Sequence, residues 1–427
     1  MMTRSEINDI LALMKQEIVP AIGCTEPVAV ALAIAKAKEV LGEDVQTVEL
    51  HLSQNILKNA LGVGIPGTGM IGLPIAVALG VVIGKSEYQL EVLKDLTPEG
   101  LAEAKQFIAD KAINIRLKED APDKLYIEVR CAGENNEALA VICGSHSNIT
   151  TVELNGESLQ SDEQGADDEK VNLTVDLSFQ KVYDFAQEVP LEELDFVVEA
   201  ARVNSQAAEM SHGSEYGHTV GKTIEDDNFK YIMGDSIFNK IVSTTSAACD
   251  VRMAGAMIPV VSNSGSGNQG ITCSLPVVVF AEHTQKTEEE LARALAMSNL
   301  LVIYIKTKLG RLSALCGVTV AAMGASSAIT MLMGGSCEQL TYSVKNMIAN
   351  VTGMLCDGAK PSCAMKVSGA VSSAVYSAIM AMRNNVVTSA EGVADDCIEK
   401  TICNLSSIGG DGMSETDKMI LNIMLKK

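Results

Sequence analysis

Two rhythms of apolar and polar residues run along this chain, and they divide it. Residues 4–18, RSEINDILALMKQEI, set Ile7, Ile10, Leu11 and Met14 three and four apart, the spacing of one helix face. A break at IGCTEP (22–27) follows, then a predicted helix from Pro27 to about Leu41 with its proline in the first turn. VQTVELHL (45–52) alternates instead and predicts a strand. NILKNALGVGIPGTG (55–69) reads as a loop or short helix, and an apolar helix then runs to about Ile83. Helical spacing returns at 99–112. NIRLKED, KLYIEVRC, EALAVICG and ITTVEL, between 114 and 154, are short strands parted by polar turns, the pattern of a small antiparallel sheet. VNLTVDLS (171–178) is one further candidate strand. From about residue 180 the pattern is helical: 191–209, 219–232, 236–257, 271–282, 287–309, 312–333, 339–355 and 362–383.

No repeat of fixed period appears. The acidic, aperiodic stretch 155–170, NGESLQSDEQGADDEK, is the candidate linker or exposed hairpin. The expected fold class is therefore α+β. An N-terminal α+β domain with a small antiparallel sheet spans 1–170, and a large, mainly helical domain spans 171–427.

Composition narrows this picture. The 427 residues allow a large core, and 47% are hydrophobic but only 4% aromatic. Small and aliphatic side chains must fill that core, which suits closely packed helices. The net charge of −21 argues against nucleic acid and anionic membrane surfaces as partners, since both demand a positive face. Two uncharged stretches, 65–84 and 312–337, are long enough to span a bilayer. Both are crowded with Gly, Ser and Thr, and no basic cluster marks a flank. They are read as buried helices, not membrane spans. The first helix carries Glu6, Asp9 and Glu17 inside its apolar pattern, unlike a signal peptide. A cytoplasmic protein is expected, with its 11 cysteines reduced. Small-residue helix faces fit a homodimer.

GVGIPG (62–67) matches G-x-G-x-x-G but follows NILKNAL rather than a strand, and apolar sequence lies beyond it. An NAD site is rejected on that context, and no Lys-Ser or Lys-Thr completes a phosphate loop. A pyridoxal enzyme needs a Schiff-base lysine with a phosphate cradle. Lys58, Lys360 and Lys366 lie near bends, but none brings such a partner set, so PLP is not expected. SNSGSGNQG (262–270) precedes a predicted helix; it is either an anion-binding helix start or a flexible connection. Of the histidines, His146 in CGSHSNI sits among polar groups at a strand end and stands out; the others read as structural.

The thiols carry the sharpest signal. Cys131, Cys143, Cys249, Cys273 and Cys337 fall in apolar or small-residue runs and read as small hydrophobes. Cys24 sits at a helix start, a place that lowers a thiol pKa. Cys356 and Cys363 flank a bend made by Gly358 and Pro361 in LCDGAKPSCAMK (355–366), so they can converge on one ion. Cys316 could add a third sulfur. The close cysteine pairs of zinc sites are absent. Three spread thiolates fit an iron–sulfur cluster with one iron free of protein ligands, and inert thiols are the competing reading.

CDGAKPSCAMK, the LCG forty residues before it, GCTEP, NILKNALGVGIPGTG, GSHSNIT and SNSGSGNQGI together resemble the L-cysteine desulfidases, relatives of the iron–sulfur L-serine dehydratases. Many members of that family carry only an uncharacterised-protein label. The resemblance spans nearly the whole chain. It implies an oxygen-sensitive [4Fe–4S] cluster on Cys316, Cys356 and Cys363, and Cys24 as catalytic base. It implies β-elimination from L-cysteine to pyruvate, ammonia and sulfide. Because the acidic stretch parts Cys24 from the cluster cysteines in sequence, the site is expected at the interface of the two parts. Contacts to the small amino-acid substrate are expected from Asn55, Lys58, His146, Ser264, Ser266, Asn268 and Lys366. In some serine dehydratases a C-terminal cysteine occupies the free iron. This sequence ends MLKK with its last cysteine at Cys403, which leans the expectation toward a thiol-bearing substrate. The competing expectations are an L-serine or related amino-acid dehydratase and, in another class, a non-catalytic iron–sulfur redox or iron sensor.

Overall fold

The computed structural model describes residues 2–161, 175–310 and 312–426. Helix α1 (Arg4–Glu17) opens with a capping box, in which the Thr3 hydroxyl and Glu6 carboxylate satisfy each other's backbone amides. After it come β1 (Pro20–Ile22), α2 (Thr25–Leu41), β2 (Thr47–Leu52), α3 (Gln54–Ala60), α4 (Leu73–Val82) and α5 (Pro98–Asp110). Strands β3 (Ala112–Leu117), β4 (Tyr126–Ala132), β5 (Glu137–Cys143), β6 (Ile149–Leu154) and β7 (Glu157–Ser161) complete the N-terminal part.

The sheet order is β3-β2-β4-β5-β6-β7. Every neighbouring pair is antiparallel except β2–β3, which is parallel. Three helices intervene between β2 and β3, so the chain returns to start at the same end; a hairpin would have reversed it. The sequence expectation of a purely antiparallel sheet is corrected on that point. The candidate linker is corrected in part: residues 157–161 form β7, and 162–170 lie outside the described residues. So do 171–174 of the candidate strand VNLTVDLS, whose described remainder, 175–178, is not strand.

The rest is helical: α6 (Phe179–Glu188), α7 (Asp195–Met210), α8 (Val220–Glu225), α9 (Lys230–Met233), α10 (Ile237–Met253), then β8 (Pro259–Val261) and α11 (Gly267–His283). Next come α12 (Glu288–Leu309), α13 (Gly317–Leu332), α14 (Cys337–Val351), α15 (Cys363–Met382), α16 (Ile398–Ser407) and α17 (Ser414–Leu425). The expected helix at 219–232 breaks into short pieces, and α6, α16 and α17 are additions. Helix α13 lies at the centre, packed by α11, α12, α14 and α15. Its alanines, glycines and serines let those neighbours close in: a Cβ on Gly324 would stand 2.5 Å from the Ser298 carbonyl oxygen.

The two uncharged stretches are interior elements, α4 and α13. Among the described residues one helix, α15, is long and apolar enough to cross a membrane, and half of it is buried in the molecule.

One contact matters most for function. Strand β1 pairs antiparallel with β8, Pro20 opposite Val261 and Ile22 opposite Pro259. This two-stranded clasp sets the residues after β1, Gly23 and Cys24, beside the loop after β8, SNSGSGNQG. A single hydrophobic cluster also runs from α1 through the sheet helices to α15.

Candidate active site

Cys24 is the N-cap residue of α2. Gly23 before it has φ +80°, and a Cβ there would lie 2.4 Å from Pro66 Cγ, so only glycine fits the turn. The Cys24 thiol is 3% exposed and donates to Glu26 Oε2 at 2.9 Å. The other oxygen of Glu26 accepts from the Asn59 side-chain amide on α3 at 2.9 Å. The Thr25 hydroxyl reaches both Glu26 Oε2 (3.1 Å) and the Gly265 carbonyl (3.0 Å), joining α2 to the small-residue loop.

The expected acidic thiol is not what this geometry makes. Burial, then the Glu26 carboxylate, pushes Cys24 well above the usual thiol range, with Arg252 acting against them. The helix start is where the sequence places it, but desolvation of a thiolate outweighs the helix amides. Glu26 moves the other way. Burial opposes its charge, yet His146, the Cys24 thiol and Asn59 together hold it below the usual carboxylate range. The resting pair is a neutral thiol against an ionised carboxylate.

Arg252, near the end of α10, is 4% exposed. Its Nη2 donates to the Gly23 carbonyl at 3.0 Å and its Nη1 to Asn268 Oδ1 at 3.0 Å. The guanidinium packs against Gly267, where a Cβ would come within 2.3 Å of Nε. It therefore bridges the residue before Cys24 to the first turn of α11.

The three cysteines also come together. Residues 315 and 355 form an antiparallel bridge, flanked by Cys316 N–H to the Met354 carbonyl (2.9 Å) and Cys356 N–H to the Ala314 carbonyl (2.7 Å). This seats Cys316, N-cap of α13, alongside Cys356. Cys363 opens α15 on the far side of the bend, its thiol 3.7 Å from the Gly358 carbonyl. Burial, with the thiols of Cys356 and Cys363, pushes Cys316 up to about 12. Cys363 is raised by burial, with Cys356 adding to it. Cys249, read from sequence as an inert core thiol, is fully buried one turn before Arg252 and feels both Cys363 and Cys316.

Among the described residues no three His, Cys, Asp or Glu side chains close on a single metal ion, so the expectation of convergence on one ion is corrected. The donor set still fits a cluster. All three thiols are free, they influence one another, and a cubane binds each thiolate through a different iron.

The remaining expected contacts divide. His146, buried between β5 and β6, acts on Glu26 and joins the Cys24 pocket. Asn268 joins it as the acceptor for Arg252. Asn55 and Lys58 face elsewhere. Asn55 donates to Asp417 Oδ2 at 2.6 Å, and Lys58 forms an ion pair with the same carboxylate on α17. The Ser264 hydroxyl donates to Asn263 Oδ1 at 2.9 Å, and Ser266 caps α11 through the Gln269 amide. Lys366 donates to the Leu355 carbonyl at 2.7 Å and pairs with Asp357, bracing the cysteine bend. Sequence reasoning missed Glu26, Asn59, Arg252 and Gln269. Glu26 was visible two residues from Cys24, and Arg252 as a cation in the apolar run just before SNSGSGNQG.

The family model for the serine dehydratase alpha chain matches residues 87–422. That span holds His146, Arg252, Asn268 and the three cysteines; Cys24 lies before it. A UPF0597 protein of Bacteroides fragilis is 58% identical over 426 residues, covering 100% of both chains. Another, from Porphyromonas gingivalis, is 51% identical over 432 residues, again covering 100% of each chain. A third, from Oleidesulfovibrio alaskensis, is 46% identical over 431 residues with the same coverage.

Proposed function

We propose, from the premise that this chain belongs to the serine dehydratase alpha chain family, that it is a cytoplasmic, [4Fe–4S]-dependent lyase. In this reading it β-eliminates L-cysteine to pyruvate, ammonia and hydrogen sulfide and needs neither PLP nor NAD. The observation that carries the reading is the set of three free, mutually interacting thiols on the 316 and 355–363 turns, with a buried thiol–carboxylate pair linked to them through α10. Cys316, Cys356 and Cys363 would hold the cluster. When bound, an iron without a protein ligand supplies a Lewis acid suited to a departing sulfur or oxygen.

The chain's own residues then do the proton chemistry. The α-proton of an amino acid is weakly acidic, so its removal needs a strong, placed base. Glu26 Oε2 takes the proton from Cys24 Sγ, and the resulting thiolate takes the α-proton. Asn59 holds the Glu26 carboxylate in line, and His146 and Arg252 supply compensating positive field. Burial keeps water from the thiolate and strengthens each of these interactions. Aminoacrylate leaves and hydrolyses in solution.

A second reading, L-serine as substrate, is favoured by the name of the matched family. Anaerobic reconstitution, with iron and sulfide content followed by pyruvate release from L-cysteine and from L-serine, separates the two. Cys24→Ser should abolish turnover and leave the cluster absorbance intact. Loss of that absorbance would show that Cys24 serves the cluster and not the proton.

A further inference from the structure

Among the described residues, Arg252 Nε, Asn59 Oδ1 and Gln269 Oε1, all in the network that joins Cys24 to α3 and α11, are buried without a hydrogen-bond partner. Buried polar atoms are paired in folded proteins, so such orphans mark a missing partner. Their chemistry is defined. Arg252 is a buried cation whose partners among the described residues, Asn268 Oδ1 and the Gly23 carbonyl, are both neutral. A guanidinium in that state calls for an anion, and its planar fork fits a carboxylate.

The two amides are acceptors by necessity. The Asn59 nitrogen is committed to Glu26 and the Gln269 nitrogen to the Asn263 carbonyl at 3.3 Å, so neither amide can flip without losing that bond. Each orphan oxygen therefore awaits a donor. Gln269 stands at the cluster side of the pocket, since a Cβ on Gly317, next to Cys316, would lie 2.9 Å from its Cδ. Asn59 stands at the Cys24 side. One unsatisfied cation with two unsatisfied acceptors is the complement of a zwitterion.

We propose that Arg252 binds the substrate's α-carboxylate, and that the side-chain oxygens of Asn59 and Gln269 accept from its α-ammonium. The proposal rests on the lyase reading for the identity of the ligand, and it gives the carboxylate to a cation other than Lys58 and Lys366, the two lysines among the expected substrate contacts. The site selects free α-amino acids over α-amino amides, which lack the carboxylate, and over simple carboxylic acids, which lack the ammonium.

The test uses L-alanine, which has no leaving group, against L-alaninamide and propionate, each lacking one charged end. Calorimetry on the anaerobic holoenzyme should show L-alanine binding at least about tenfold tighter than either. In Arg252→Gln its affinity should fall to that of L-alaninamide, with iron content and circular dichroism unchanged. In Gln269→Leu it should move toward that of propionate. Arg252→Lys should lie between, and the wild-type comparison decides alone if Arg252→Gln does not fold. The proposal is overturned if the wild type does not distinguish L-alanine from L-alaninamide, or if folded Arg252→Gln keeps the preference. Normal turnover with unchanged KM in Arg252→Gln would overturn it and leave the lyase reading standing. An Arg252-dependent preference without turnover would do the reverse.

Discussion

Lys58 and Arg252 are both buried cations, and their surroundings differ in the respect that matters. Lys58 is fully buried, paired with Asp417 and backed by Asn55, so its charge is answered within the chain. Arg252 is almost as deeply buried but among the described residues its hydrogen bonds go to neutral oxygens, with Nε left over. A buried ion pair is a structural clasp. A buried cation without a counter-charge is a site waiting for an anion, because the desolvation cost of the charge is otherwise uncompensated. Sequence context, a lysine beside a Gly-rich loop, singled out Lys58 and gave no sign of Arg252.

The contrast can be broken most forcefully at Lys58. Lys58→Met leaves the Asp417 carboxylate without its cation and should destabilise the protein by about 3–5 kcal/mol, read in chemical denaturation. Pairing it with Asp417→Leu should recover most of that loss. If Lys58→Met raises KM and leaves stability intact, the clasp reading is wrong and Lys58 is a substrate residue.

Glu26 sharpens the Arg252 side. Glu26→Gln removes the acceptor for the Cys24 proton and should lower kcat by about a hundredfold or more. The same change takes away a carboxylate that raises the thiol pKa, so alkylation of Cys24 at a fixed pH, followed by peptide mass spectrometry, should speed up. Both rates falling together would mean that the variant had simply lost the pocket.

The raised thiol also gives a pH dependence of definite sign. The native state keeps the Cys24 proton through the range, above about pH 8.5, where the unfolded chain releases it. Stability should therefore fall as pH climbs through and beyond that range. In Cys24→Ser, melting curves should show a shallower fall over the same interval.

Smaller effects separate scaffolding from ligand contacts. Ser266→Ala removes the α11 cap and should cost about 1 kcal/mol with KM little changed. The smallest stability shift belongs to Arg252→Gln, which keeps an N–H donor where the guanidinium bonds only neutral oxygens among the described residues. It should change stability by less than about 1 kcal/mol, in either direction. A loss comparable with that of Lys58→Met would mean that Arg252 is a clasp too.

Much of the fold was legible because it rests on local signals. The spacing of Ile7, Ile10, Leu11 and Met14, the alternation of 45–52 and the strand runs between 114 and 154 each record which face is buried. Burial faces are written into period; partner strands are not, so the parallel pairing of β2 with β3 went unseen. Helices α16 and α17 cover the body with mixed, half-exposed faces, and their periodicity is correspondingly faint. Within the site, Cys24 and the three cysteines stood out by chemistry and by the bend between them. Glu26, Asn59 and Arg252 did not, because each is ordinary in its own segment and becomes unusual only when buried beside the others.

The sequence by itself determined the helices, the strands, the thiols around the Gly358–Pro361 bend and membership in a family, since these depend on residue type and near-neighbour spacing. Only the tertiary structure decided the protonation of Cys24 and which buried cation is answered. Those are properties of field and solvation, fixed by side chains that lie far apart along the chain and meet through the β1–β8 clasp, α3 and α10.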